Sequence, residues 1–329
     1  MLNFCTLFDS NYLSRGLAMY ESLTRHCRDF RLYIFAFDEK CRQILQKLNL
    51  PNVVLISLGE FETQELLEVK KTRSRAEYCW TCTSATIKHV LDKFNADCCT
   101  YIDSDIYWFN SPEILFDELG DNSIIITEHR YTDNRYGRRA IKSSGTYCVQ
   151  FVTFKNNADG LEALNWWKDR CVEWCYARSE DGKFGDQKYL DDWTTRFKGV
   201  RVLRNLGGGV APWNVQQYDI LEKNDVVTGV DKKSAAEFPV IFYHFHYLRF
   251  FDDRTVELGI YDLSENVKTF IYKRYISHLN QIKEKINLMD PSFDPHGANK
   301  KTWSLIDYYE FIKRSIKGNY NVYSLKDFI

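Results

Sequence analysis

Asp103 and Asp105, separated by one residue, close a short and mostly apolar run that begins at Cys98. The run reads as a buried strand of a parallel sheet, with helical periodicity before it. In open α/β sheets, ligands collect beyond the carboxyl ends of the strands. Two carboxylates aimed into such a crevice repel each other unless a positive charge lies between them. A divalent cation carrying a diphosphate suits the place, because hard oxygen ligands favour Mg²⁺ and Mn²⁺. Taken alone, the tripeptide is equally an ordinary strand-ending turn with solvated acids, so the rest of the chain has to decide.

The elements that would position these acids alternate. Leu2 to Phe8 predicts a first strand, and Ser14 to His26 a helix capped by Ser14. Phe30 to Phe37 predicts a strand, Glu39 to Leu48 a helix, Val53 to Ser57 a strand, and Arg73 to Phe94 the long helix feeding the Cys98 strand. Such β-α alternation predicts an α/β fold, a Rossmann-like and mostly parallel sheet flanked by helices. Further on, Ser111-Pro112 opens a short helix with Ser111 as cap, and Ile124 to Thr127 is a strand. His129 to Lys142 is polar, carries Arg130, Arg135, Arg138, Arg139 and Lys142, and is expected to be a mobile loop acting as a lid. Gly145 to Phe154 predicts a strand, Asn157 to Arg178 a Trp-rich helix, Gly185 to Trp193 a short helix, and Phe238 to Phe245 a last core strand.

The chain has 329 residues, enough for one large domain or two small ones. Its net charge of −1 provides no field to attract nucleic acid. The apolar start is interrupted by Asp9 and Arg15, too early for an export signal or a membrane span. A soluble cytoplasmic protein is therefore expected, and its ten cysteines are expected to be reduced core thiols. Residues 264–329 differ in character: 11 basic against 7 acidic residues, with many aromatics. They predict a helical extension following a domain at 1–263, either packed with a solvated basic face or touching an anionic membrane surface peripherally.

Other segments fall in a telling order. Asp9-Ser10-Asn11-Tyr12 follows strand one, where a carboxylate can accept an imide proton and an aromatic face can cover a base. Arg73-Ser74-Arg75 opens the long helix, whose N-terminus favours anions. Ser143-Ser144-Gly145 leads into a strand, Gly185-Asp186-Gln187 opens a short helix, and Tyr243-His244-Phe245-His246 ends the last core strand. Together with the Asp-x-Asp, this series resembles the GT-A glycosyltransferases, in particular family 8 and its relatives, over roughly residues 1–260.

The resemblance implies a metal-dependent transferase moving a sugar from a nucleoside-diphosphate donor, UDP-linked by expectation, with retention of configuration. Mn²⁺ or Mg²⁺ would be held by Asp103, Asp105 and His244, with His246 as the alternative ligand. Thr6, Asp9, Asn11, Tyr12, Arg75, Ser104, Ser144, Gly145 and Arg249 would bind the donor, Arg75 touching its diphosphate or sugar. Asp186 and Gln187 would stand beside the reacting carbon. The acceptor would be a carbohydrate, a lipid-linked glycan or a protein. Two departures from the family pattern stand out: Tyr247 occupies a position usually Gly, and Arg249 lies one residue short of the usual basic position. The alternatives are a non-catalytic or hydrolytic relative, and a haloacid dehalogenase-type phosphatase. The latter expects Thr or Val where Tyr107 stands.

Overall fold

A computed structural model describes residues 1–301 and 305–328; residues 302–304 and 329 of the expected C-terminal extension lie outside the described residues. The chain groups into two compact units. The first comprises Met1–Ser10, Cys27–Ser104 and Pro112–Gly209, and the second Asn11–His26, Asp105–Ser111 and Val210–Ile329.

In chain order the first eight strands are β1 (Leu2–Phe8), β2 (Phe30–Ala36), β3 (Val53–Ser57), β4 (Cys98–Ile102), β5 (Ile106–Trp108), β6 (Ile124–Glu128), β7 (Tyr147–Lys155) and β8 (Val200–Val202). All but β5 form the sheet of the first unit, in the order β3-β2-β1-β4-β7-β6-β8. Neighbours run parallel except at β7, which is antiparallel to both β4 and β6. Tyr147 to Phe154 are buried without interruption, the signature of a strand covered on both faces. The expected mixed, mostly parallel sheet flanked by helices is the one observed.

The covering helices begin where the sequence supplies caps. Asp38 accepts the Cys41 N–H and opens helix 39–48, and Ser74 with Glu77 forms a reciprocal capping box on helix 75–93. Asn157 caps helix 158–173. From that helix Trp167 enters the core, edge-on to Trp193 at 5.6 Å and stacked near Phe154 at 6.1 Å. A fully buried ring of this size contributes roughly 2–3 kcal/mol.

In the second unit, helix 13–26 packs against helix 273–289, and His278 Nε2 lies 2.8 Å from Glu21 Oε2 across that contact. Strand β5 pairs antiparallel with Phe242–His244, placing Ile106 opposite His244. Strands 218–223, 226–231 and 237–239 form an antiparallel ribbon, and 249–250, 255–257 and 322–324 a third small sheet. Residues 265–289 and 305–316 are largely helical, as expected for this region. By compactness they group with 210–263. Among the described residues no helix is long and apolar enough to cross a membrane.

Several local expectations are corrected. The segment expected to be a loop to Lys142 contains a helix, Arg135–Ser144, capped by Asn134 on the Gly137 N–H. Its packed face is only Gly137 and Ala140, so four surrounding cations concealed it. A Cβ at Gly137 would lie 2.1 Å from the Thr132 carbonyl oxygen. Ser14 is not a cap: the helix starts at Leu13 after a 3₁₀ turn, and the Ser14 hydroxyl lies 2.9 Å from His296 Nδ1. Pro112 rather than Ser111 occupies the cap position of helix 113–116. The Trp-rich helix stops at Glu173 because Trp174 turns extended. The last core strand is broken into 237–239 and 242–244, and the short helix after Asp186 is a 3₁₀ turn at 188–192 continued by helix 193–196.

Candidate functional site

Strand β4 delivers Asp103 at its carboxyl end, and the chain turns over two residues to Asp105. The Asp103 N–H donates to the Gln150 carbonyl at 3.2 Å, which fixes the backbone of the turn. Asp105 is held in the same way, its carbonyl accepting the Phe245 N–H at 2.9 Å. His244 ends its strand with its N–H on the Val210 carbonyl at 2.9 Å, and its Nε2 lies 3.2 Å from Asp105 Oδ1. Asp105 and His244 thus meet in the second unit, and Asp103 precedes Asp105 by two residues in the chain. Two carboxylates and an imidazole are a donor set that fits a divalent cation.

Burial raises the proton affinity of the Asp105 carboxyl, but the adjacent His244, with His246 and Arg15, more than offsets this and leaves it below the usual range. His246, the alternative ligand, is placed differently. The strand ends at His244, so regular alternation does not carry on. His246 Nδ1 lies 3.1 Å from the Tyr261 hydroxyl, and burial with the neighbouring His244 lowers its pKa to about 4. Trp213 stands edge-on to both imidazoles, 5.1 and 5.5 Å away.

Around Asp103, in the first unit, stands a second group. Asp186 is buried, and burial together with the Asp103 charge raises its pKa to about 7, against the opposing hydrogen bond from Thr83. Its carbonyl accepts the Trp167 indole N–H at 2.8 Å. Gln187 Nε2 donates to the Ser144 carbonyl at 2.8 Å, so the Asp-Gln segment and the Ser144-Gly145 segment are directly tied. Gly145 ends helix 135–144 with φ +102°, and a Cβ there would lie 2.9 Å from Asp191 Oδ1. Ser104, between the two acids, is buried.

A third group gathers at the carboxyl ends of β1 and β2. Asp9 is buried and forms an ion pair with Arg75 Nε. Arg75 Nη2 also reaches Asp38 Oδ2 at 2.9 Å. Thr6, inside β1, is fully buried, and its hydroxyl has no partner among the described residues. In the second unit, Tyr12 is exposed, with the Arg15 guanidinium 4.6 Å over its ring. Asn11 gives its carbonyl to Arg15 at 3.3 Å. Arg249 is exposed, its guanidinium 4.4 Å over the Tyr247 ring.

Sequence reasoning missed Asp38, Thr83 and Arg15. Asp38 ends β2 as Asp9 ends β1, so the strand-end rule that singled out Asp103 also points to it. Thr83, inside a helix of small and sulfur-bearing residues, carries no such signal.

The architecture is the GT-A fold of nucleotide-sugar glycosyltransferases. The galactosyltransferase LgtC, crystallised with donor and acceptor sugar analogues, superposes with a TM-score of 0.51 at 14% identity, covering 85% of this chain and 96% of LgtC. No protein-family profile matches the chain. By sequence the chain is 31% identical over 299 residues to the uncharacterised protein YfnD of Bacillus subtilis (strain 168), covering 88% of this chain and 93% of YfnD. It is 28% identical over 296 residues to YfnF of the same organism, covering 88% of this chain and 96% of YfnF. The chain belongs to the family of YfnD.

Proposed function

We propose that the protein is a metal-dependent glycosyltransferase that moves a sugar from a UDP-sugar to a carbohydrate, lipid-linked glycan or protein acceptor, with retention of configuration. The observation that carries this reading is the Asp-x-Asp of Asp103 and Asp105 that follows β4, with His244 Nε2 3.2 Å from Asp105 Oδ1, in a chain with the fold of a galactosyltransferase. On this reading those three residues hold Mn²⁺ or Mg²⁺. The bound cation would screen the diphosphate and stabilise the departing nucleoside diphosphate.

Asp9 accepts the base imide proton and Tyr12 covers the ring. Thr6, Asn11, Ser104 and Arg249 line the rest of the donor. Ser144 and Gly145 let the sugar approach backbone, and Gln187, anchored on Ser144, orients it. Asp186 is buried beside Asp103 and takes a sugar hydroxyl through a carboxyl whose proton affinity is raised. Residues 1–263 carry the transfer site and 264–329 form an extension with a basic, aromatic surface. A cytoplasmic location with peripheral membrane contact belongs to the same reading.

The test is a panel of nucleotide-sugars, each with Mn²⁺, Mg²⁺ or chelator, read by thermal shift and by release of nucleoside diphosphate. Metal-dependent stabilisation plus slow donor hydrolysis is expected for UDP-sugars, and the anomer released reports the stereochemistry. Stabilisation without any turnover would leave a donor-binding relative. No stabilisation by any donor with metal would remove the reading.

A further inference from the structure

Helix 135–144 carries Arg135, Arg138, Arg139 and Lys142 and no acidic residue. At about 100° per residue these cations fall within an arc of about 100°, and the packed Gly137 and Ala140 lie on the opposite side. All the cations are exposed. Among the described residues only Arg138 has an ion-pair partner, Asp133 at 2.6 Å. The others stand at i, i+4 and i+7 and form a stripe about 10 Å long.

Stability does not account for this stripe. Like charges three and four residues apart repel along a helix. Arg135 stands in the first turn, where the helix dipole disfavours a cation, and no acid is there to offset it. Short helices draw their stability from packing, and this one packs only Gly137 and Ala140. Charge that serves solubility is mixed in sign, and the whole chain, at −1, is not basic.

Position joins the stripe to the first unit's part of the site. Strands β4 and β6 are both antiparallel to β7, so they run in the same direction. The chain leaving β6 at Glu128 therefore emerges at the sheet edge that carries Asp103. Arg130 pins this lead-in by donating to the Asn205 carbonyl at 3.2 Å and to the Gly208 carbonyl. At the other end Gln187 donates to the Ser144 carbonyl at 2.8 Å, and Lys188 to the Ile141 carbonyl at 3.3 Å. The cationic face is thus held next to Gln187 while it points to solvent.

We propose that this face docks the acceptor, and that the acceptor is a polyanionic glycan bearing phosphate or carboxylate groups along its chain. This rests on the glycosyltransferase reading above and narrows its acceptor. Arginine forks match the paired oxygens of either group. The donor diphosphate is not the occupant, because on that reading a cation at Asp103 and Asp105 screens it.

The test is fluorescence anisotropy of labelled oligomers on the full chain, in excess Mn²⁺, with poly(glycerol phosphate), oligogalacturonate and neutral dextran of matched length. The unmodified protein should bind one or both polyanions at least about 10-fold more tightly than dextran, and the better one reports whether phosphate or carboxylate is read. The combined variant Arg135→Gln, Arg139→Gln and Lys142→Gln, which keeps good helix formers, should lose that preference. A control that removes as many exposed cations elsewhere in the first unit, Lys47→Gln, Lys93→Gln and Lys198→Gln, should retain it. The stripe variant should keep its far-ultraviolet circular dichroism and its UDP affinity. Saturating polyanion should leave UDP affinity unchanged, because donor and acceptor bind together. Equal loss in the control would show diffuse attraction and overturn the proposal. So would UDP displaced by the polyanion, or UDP affinity lost with the stripe, either of which would move this face to the donor. Binding only to vesicles of phosphatidylcholine and phosphatidylglycerol would make it a membrane contact, and no preference for polyanion over dextran would leave it no anionic acceptor; both overturn the proposal while leaving donor binding intact. Failure of the unmodified protein to bind UDP would remove the donor reading, and polyanion binding that then vanished only in the stripe variant would leave a docking face without an acceptor role.

Discussion

Asp186 in the first unit and Asp105 in the second are both aspartates taken largely out of water, yet their proton affinities move in opposite directions. Burial raises both. Asp186 then meets a like charge, Asp103, and rises to about 7. Asp105 meets His244 at 3.2 Å and ends below the usual range. Burial is the largest influence on each, and the neighbours, a like charge at Asp186 and an imidazole at Asp105, set the two apart. The difference also assigns work: a carboxylate kept ionised suits a cation, and one that can hold its proton suits a neutral hydroxyl partner.

The comparison breaks most visibly at Asp105. Asp105→Asn removes the ionised member while conserving shape. Mn²⁺-dependent UDP affinity should fall about 100-fold or more, since the charge stabilisation lost is worth several kcal/mol. The far-ultraviolet circular dichroism should not change. Undiminished calorimetric affinity would show that Asp105 is not a ligand.

His244 is the partner that sets Asp105 apart, so its removal comes next. His244→Ala should lower metal affinity roughly 10–100-fold, and His246→Ala less than about 10-fold, because His246 Nδ1 is engaged with the Tyr261 hydroxyl. Electron paramagnetic resonance of bound Mn²⁺ measures both. Reversed rankings would mean that the imidazole facing the cation is His246.

Asp186 supplies a test by titration. Its folded-state pKa lies above the unfolded value, so between about pH 4 and 7 the native protein binds the extra proton. The associated stability is present below about pH 4 and lost as pH rises through 7, on the order of 4 kcal/mol without metal. Asp105 has the opposite sign: its contribution is present above its unfolded pKa and lost as pH falls. Asp186→Asn should therefore flatten the decline of urea midpoint from pH 4 to 7. A variant with the same decline as the parent would refute the shift. Added Mn²⁺ should have a similar flattening effect, because a cation at Asp103 cancels the repulsion.

How much of this was legible in the sequence follows from what each residue depends on. Asp103 and Asp105 could be read because a strand period and its abrupt end are local patterns. The alternation of strands and helices leading up to β4, and with it a mostly parallel sheet, could be read for the same reason. The antiparallel turn of β7 and the pairing of β5 with 242–244 depend on partners far away in the chain, and no local spacing encodes them. The end of the strand at His244, which sets His244 and His246 in different surroundings, had no sign in a continuous apolar run. Arg75 was legible as a basic residue at a helix start; its fixation by Asp9 and Asp38 was not, since Asp38 reads equally as the helix cap it also is.

Helix 135–144 is where polarity misled, and it offers the smallest and most local test. The Asp186-Gln187 side of the comparison leans on this helix through Gln187 and the Ser144 carbonyl, and the helix is started by the Asn134 side chain. Asn134→Ala removes that cap at a cost of about 1 kcal/mol. If the cap holds the helix, local opening rises about 5-fold, and trypsin should cut after Arg135, Arg138, Arg139 or Lys142 faster by that factor. The global urea midpoint should barely move, because the packed face of the helix is only Gly137 and Ala140. UDP with Mn²⁺ should slow cleavage in both proteins if the helix is steadied by a donor lying near Ser144 and Gly145. Cleavage that rises in the variant but ignores the ligand would keep the helix as a structural element and detach it from the donor. Cleavage that does not rise at all would mean that Gln187 and Lys188, which also meets the Ile141 carbonyl, hold the helix from its far end without help from Asn134.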